Sequence, residues 1–176
     1  MLIAITGTPG VGKKTVSKEL TRILNLTELD LKDIARKEKI LKGYDLNSKS
    51  LVVDDSKIGA KIKKYVKKGN NYVVASHISQ FISPRSVKLM VVLRVNPDKI
   101  EKRLKKRGYD LKKVYDNSMC EYLDSCLIES IQQGHKNHLH EIDATKKSAK
   151  KIAREIKDVI ENKKKKSFGE VSWVKR

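Results

Sequence analysis

Acidic residues and cysteine are scarce in this chain, and it has no long apolar run. Asp and Glu together number 21 against 40 Lys and Arg in 176 residues, which leaves a net charge of +19. That imbalance argues against polycationic partners and favours polyanions such as RNA, or phosphorylated ligands. Lysine dominates the basic set and lies on many predicted outer helix faces, where it also serves simply to solvate the surface. The two cysteines, Cys120 and Cys126, fall six residues apart in one predicted helix. At ~1.5 Å rise per residue they are roughly 9 Å apart along its axis, too far for a disulfide. Reduced thiols are expected, and with them a cytoplasmic protein. No stretch is long and apolar enough to suggest a membrane span. The opening MLIAIT is too short for a signal peptide and runs directly into glycines. The length suggests one domain, large enough for a layered core.

The sequence alternates short apolar runs with amphipathic stretches. MLIAIT (1–6), LTELDL (26–31), YVVASH (72–77), VKLMVVLRV (87–95) and HLHEID (138–143) read as strands. A helix from about Gly12 to Leu24 carries Val16, Leu20, Ile23 and Leu24 on one face. Others are predicted over 31–39, after Asp54 or Asp55, after Pro97 with Asn96 as its cap, and over about 148–162. A long helix is expected to end near Gln133, with Met119, Leu123, Cys126, Leu127 and Ile131 facing inward. KGYDLNSKS (42–50) reads as a loop, and a basic tail begins at Lys163. This alternation predicts an α/β fold with a parallel sheet covered by helices on both faces. The ligand crevice should lie at the carboxyl ends of the strands. Gly7, His77, Arg94 and Asp143 all fall at or near such ends.

Residues 7–15 read GTPGVGKKT. Gly7, Gly12 and Lys13 fit the phosphate-loop pattern G-x-x-x-x-G-K-[ST], but Lys14 stands where a hydroxyl normally reaches Mg²⁺, and Thr15 follows one residue late. In such a loop, backbone N–H groups wrap a phosphate and the helix N-terminus adds its positive dipole end. Lys13 would add a point charge near the outer phosphates. A Gly-rich strand-to-helix turn without ligand is the bland alternative, but the buried strand before and amphipathic helix after weigh against it. Lys14 leaves the backbone cradle intact, removes one metal ligand and adds charge. His77 reads as a satisfied polar group or as a residue orienting water or phosphate. Asp30 and Asp33 read as helix caps or ligand contacts. Arg103 and Arg107 read as a solvated helix end or as a clamp on phosphates.

Taken together, GTPGVGKKT, DLKDIARKE (30–38), GYDLNSKSLVVD (43–54), VVASH (73–77), VVLRVNP (91–97), RLKKRGYDLKKVYDN (103–117) and EIDATKKS (141–148) resemble the archaeal or nuclear-type adenylate kinase family, isoenzyme six in human nomenclature. The resemblance spans nearly the whole chain. It implies a three-layer P-loop kinase fold built on a five-stranded parallel sheet, in a single domain. It implies a nucleoside-monophosphate segment at about 30–53 and a lid at about 106–116. By matched position Gly10, Gly12, Lys13, Lys14 and Thr15 would contact ATP phosphates, with Arg107 reaching ATP from the lid and Lys146 beside the adenine. Asp30 and Arg36 would serve AMP. His77 matches the His of an acidic-x-His motif and would orient water, while Arg103 would join Lys13 and Arg107 around the transferring phosphoryl group.

Two positions depart from that pattern: Lys14, where the family usually has Thr, and Ala75, where it has the acidic residue that holds Mg²⁺. Thr15 is the hydroxyl left for the metal. The implied activity is reversible phosphoryl transfer from ATP to AMP with Mg²⁺, giving ADP, with ATP hydrolysis beside it. The resemblance also implies a part in small-ribosomal-subunit maturation, with a ribosomal protein and rRNA as partners. A nucleotide-dependent assembly factor with little turnover is the second reading. A kinase of the same fold with another acceptor is the third, because fold does not choose the acceptor.

Overall fold

The computed structural model describes residues 1–45 and 50–174. Five strands form the central sheet: β1 (Leu2–Thr6), β2 (Thr27–Leu29), β5 (Tyr72–Ala75), β6 (Leu89–Arg94) and β7 (Leu139–Asp143). They pair in the order β2-β5-β1-β6-β7, every pair parallel. β1 is central, with Ile5 opposite Ala75 on one side and Val91 on the other. All five of its residues are buried, as expected for a parallel strand covered on both faces. The pleat divides them. Ile3 and Ile5 pack with Val16, Leu20, Ile152 and Ile156, while Leu2 and Ala4 pack with Leu31, Ile34, Ile58 and Ile62.

The first layer is therefore α1 (Lys13–Leu24) and α7 (Ala149–Ile160), joined by α4 (Pro97–Lys106). The second contains α2 (Leu31–Lys37) and α3 (Asp55–Ile62). Asn25, left-handed at φ 48°, ends α1 and returns its N–H to Thr21 O. The three-layer α/β fold with five parallel strands is thus as the sequence predicts. Among the described residues no helix is long and apolar enough to cross a membrane.

Two expectations need correction. The segment read as a loop over 42–50 contains strand. β3 (Leu41–Asp45) and β4 (Ser50–Val53) pair antiparallel, with a register shift between Leu41 and Gly43, and residues 46–49 lie outside the described residues. Leu41 and Val53 pack onto the second core layer, which gives the hairpin its inner face.

The long helix to Gln133 is two helices, α5 (Leu111–Tyr122) and α6 (Ser125–Gln132). Asp124 breaks it with a left-handed φ of 56° and pairs with the buried Arg94. The break shifts the phase of the apolar stripe. Leu127 is buried, but Leu123 (57%) and Ile131 (36%) are exposed. The face that α5 buries is Val114, Ser118 and Glu121. The two cysteines accordingly sit on different helices, both as free thiols.

The basic tail is docked through residue 174. Ser167 O accepts the Glu141 N–H (2.8 Å), and Ser167 N–H donates to His140 Nδ1 (3.1 Å). Phe168 packs against Val92, Leu127 and Leu139. These contacts cover the open edge of β7, which is otherwise an unpaired row of backbone groups. Residues 175–176 of the predicted tail lie outside the described residues.

Gly59 lies where α3 presses on the 79–82 turn. A Cβ there would stand 2.8 Å from Phe81 O and 3.2 Å from Ser83 N. In an open helix Gly→Ala adds about 1 kcal/mol of stability. Here the added methyl meets backbone, so Gly59→Ala is expected to lower stability by about 1–3 kcal/mol. Urea denaturation checks the sign, and a stabilised variant would refute the packing argument.

Candidate active site

The loop between β1 and α1 is shaped by three glycines with positive φ: Gly7 (135°), Gly10 (98°) and Gly12 (103°). Gly7 is also a close approach, since a Cβ would fall 2.4 Å from Leu93 O on the neighbouring strand. α1 begins at Lys13 with no side-chain cap and no acidic residue in its first turn. Side chains therefore leave its N-terminal N–H groups open to an anion. The Lys13 ammonium folds back onto the loop, donating to Gly7 O (2.5 Å) and Thr8 O (3.0 Å). Loss of hydration there, aided by the nearby Arg107 charge, lowers its pKa to about 8, against the opposing pull of Cys126 and Glu121.

A cavity of ≈ 530 Å³ opens beside this loop. Gly10, Gly12 and Thr15 form one wall, and Arg103 and Arg107 another. Ala144, Ala149 and Ile152 supply an apolar side. Arg103 Nη1 donates to Gly10 O (2.8 Å), tying α4 to the loop. Burial and the Arg107 charge lower the Arg103 pKa. Two guanidinium groups four residues apart, over a loop with open N–H groups, make a strongly anion-seeking surface. A phosphate-bearing ligand with a flat apolar part suits this mixture of walls.

The structure thus gathers Gly10, Gly12, Thr15, Arg103 and Arg107 around the cavity, while Lys13, outside its lining, is held on the loop backbone at Gly7 and Thr8. Lys14 is exposed on the first turn of α1, and Lys146 is exposed in the turn after β7; neither lines the cavity, whereas Lys147 does. Lys147 is also paired with Glu155 at 2.7 Å. His77 follows β5, is exposed and stands outside the lining, and its carbonyl accepts the Gln80 amide (3.0 Å). Asp30 caps α2 by accepting the Lys32 N–H (2.7 Å), and exposed Arg36 pairs with Asp33 (3.0 Å). Both therefore lie on the helix that leads into the β3–β4 hairpin, away from the cavity wall.

Ala75 brings no carboxylate to the end of β5 and packs partly into the core. Among the described residues no group of three or more His, Cys, Asp or Glu is placed to hold a metal ion. The donor set fits a nucleotide's phosphates, and it offers a divalent cation only the Thr15 hydroxyl.

Sequence reasoning missed the carboxylate beneath the loop. Thr8 Oγ1 donates to Glu121 Oε2 (2.7 Å), and Glu121 Oε1 accepts from Arg94 Nε (2.7 Å). Both partners, Glu121 and Arg94, are 1% exposed. The available signal was Arg94 itself, since a cation ending an otherwise apolar strand must find buried partners.

Comparison with known proteins agrees with this geometry. The family described as "AAA domain" matches residues 3–124. A Methanocaldococcus jannaschii protein named "Putative adenylate kinase" is 38% identical over 176 residues, covering 100% of this chain and 94% of the relative. A Thermococcus gammatolerans protein of the same name is 37% identical, covering 98% and 93%. Among solved structures, shikimate kinase from Acinetobacter baumannii in complex with shikimate superposes with a TM-score of 0.59 at 15% identity, covering 94% of this chain and 95% of that one. That likeness speaks to the fold, which is a P-loop kinase fold. With full-length identity of this order to the archaeal proteins, the chain belongs to their family, the P-loop proteins named as adenylate kinases.

Proposed function

We propose that this protein is an adenylate kinase that transfers the terminal phosphoryl group of ATP to AMP, giving two ADP, and hydrolyses ATP slowly beside it. The observation that carries this is the convergence of Arg103, Arg107 and the open N-terminus of α1 on one cavity, with the Lys13 ammonium held on the loop backbone behind it. Phosphoryl transfer demands little covalent chemistry of a protein. It needs the reacting oxygens aligned and the equatorial charge neutralised. An AMP phosphate oxygen forms a bond to the ATP γ-phosphorus as the bond to the β-bridging oxygen breaks. Loop N–H groups and Lys13 would hold the phosphates, and Arg103 and Arg107 would meet the developing charge. Mg²⁺, when bound, would shield the phosphates, and the Thr15 hydroxyl would assist it.

In this reading residues 30–53 enclose AMP, with Asp30 and Arg36 serving it. The turn joining α4 and α5 lies within a lid of about 106–116. Lys14 adds charge at the ATP phosphates and Lys146 borders the adenine. His77 orients the water of the hydrolytic side reaction. An acceptor series tests the proposal: ADP formation is measured with AMP, other nucleoside monophosphates and shikimate, with Mg²⁺ varied. AMP is expected to give the highest kcat/KM. Equal or faster turnover of another acceptor would overturn the assignment.

A second reading is favoured by the +19 charge. The protein would act in small-ribosomal-subunit maturation, using nucleotide to time its association with a ribosomal protein and rRNA. Cytoplasmic location accompanies this reading. RNA affinity should then fall steeply with salt, because each neutralised phosphate releases counterions. Binding that is indifferent to salt would refute it.

A further inference from the structure

We infer that Glu121 is a positioning residue for the phosphate loop, and that it couples the loop to the C-terminal strap through Trp173. Every oxygen of Glu121 is committed. Oε2 takes the Thr8 hydroxyl (2.7 Å). Oε1 takes Arg94 Nε (2.7 Å), the Val95 N–H (3.1 Å) and Trp173 Nε1 (3.3 Å). Its backbone carbonyl takes Arg94 Nη2 (2.9 Å). Arg94 in turn reaches Glu141 Oε1 (2.7 Å) and Asp124, and the Trp173 ring lies 5.9 Å from its guanidinium carbon. Glu141 Oε2 receives the strap's Gly169 N–H (2.8 Å). One connected set of buried and part-buried polar contacts therefore runs from the loop, through Glu121 and Arg94, to Gly169 and Trp173.

The charges in this set do not balance by themselves. Three carboxylates surround one guanidinium. Lys13 supplies part of the difference, because its ammonium and Glu121 support one another electrostatically. Lys13 also donates to the carbonyl of Thr8, whose hydroxyl is held by Glu121. A phosphate arriving in the loop competes for Lys13. It thereby changes both the charge that Glu121 feels and the residue that Glu121 holds. In a low-dielectric interior such a change is felt along the hydrogen-bonded chain. The strap is thus part of the nucleotide machinery as well as cover for a sheet edge. This inference rests on the loop's binding ATP and is independent of the acceptor.

Trp173 is the only tryptophan in the chain, so its fluorescence reports the strap directly. ATP titration followed in parallel by calorimetry and by emission is the test. A saturable emission change is expected, with the same midpoint as the binding heat. In Thr8→Val, which removes the hydroxyl and with it the bonds to Glu121 and to the Cys126 thiol, the emission change should vanish and the KM for ATP should rise about tenfold, with the KM for AMP unchanged. Thr8→Ser should restore both. Binding heat without an emission change in the wild-type protein overturns the coupling alone. So does a Thr8→Val protein with wild-type KM and emission response. Absence of binding heat overturns the nucleotide reading and this inference with it.

Discussion

Lys13→Ala is expected to lower the rate of ADP formation from ATP and AMP by about 10²–10³-fold, the usual cost of removing one preorganised group from a developing oxyanion. In the structure the ammonium lies on Gly7 O and Thr8 O, beside the open end of α1. Like Arg103 it borders the loop backbone, and in the proposed reading it carries a mobile charge to the phosphates. Its pKa of about 8 adds a second signature. A bound phosphate favours the charged form and so raises that pKa. From about pH 8 up to the raised value, the bound protein holds more protons than the free one. Binding in that window takes up a proton, and ATP affinity falls as pH rises through it; below about pH 8 it is flat with respect to this group. Calorimetry in two buffers of different ionisation heat reads the uptake, which Lys13→Ala should abolish. A variant with wild-type turnover would show that the loop does not position the transferred group.

The loop was legible in the sequence because its parts are neighbours there. Gly10, Gly12, Lys13 and Thr15 lie within six residues, and a buried strand and amphipathic helix frame them. Strands β1, β5 and β6 were legible because each is a short apolar run ending at a glycine or polar residue. What was hidden depends on distant partners. The hairpin formed by β3 and β4 rests on an irregular pairing and on packing against Leu31 and Ile58. The break at Asp124 is fixed by Arg94, thirty positions earlier, and no local pattern marks it. Inward-facing Ser118 and Glu121 look like an outer face when only apolar residues are counted. The cavity wall formed by Ala144, Ala149 and Ile152 carries no polar signal at all.

Arg94→Met is expected to cost about 3–5 kcal/mol, because it strands carboxylates that the fold has taken out of water. Glu121 is 1% exposed and Glu141 6%, and each gives Arg94 an oxygen at 2.7 Å. Burial works against the charge of Arg94, but Glu121 and Asp124 more than offset it and raise its pKa. For a domain of this size, such a loss lowers the thermal midpoint by roughly 6–20 °C. Arg94→Lys keeps the charge but not the fork, so it cannot serve Glu121, Asp124 and Glu141 together. It should fall between the two. Adding Glu141→Gln to Arg94→Met tests the cause. If orphaned charge is the penalty, the second change recovers stability and the two effects are far from additive. If the loss merely reflects a missing long side chain, Glu141→Gln recovers nothing. An Arg94→Met protein as stable as wild type would mean that these buried pairs do no more than offset their own desolvation. Glu121 would then hold Thr8 without help from the strand beneath it.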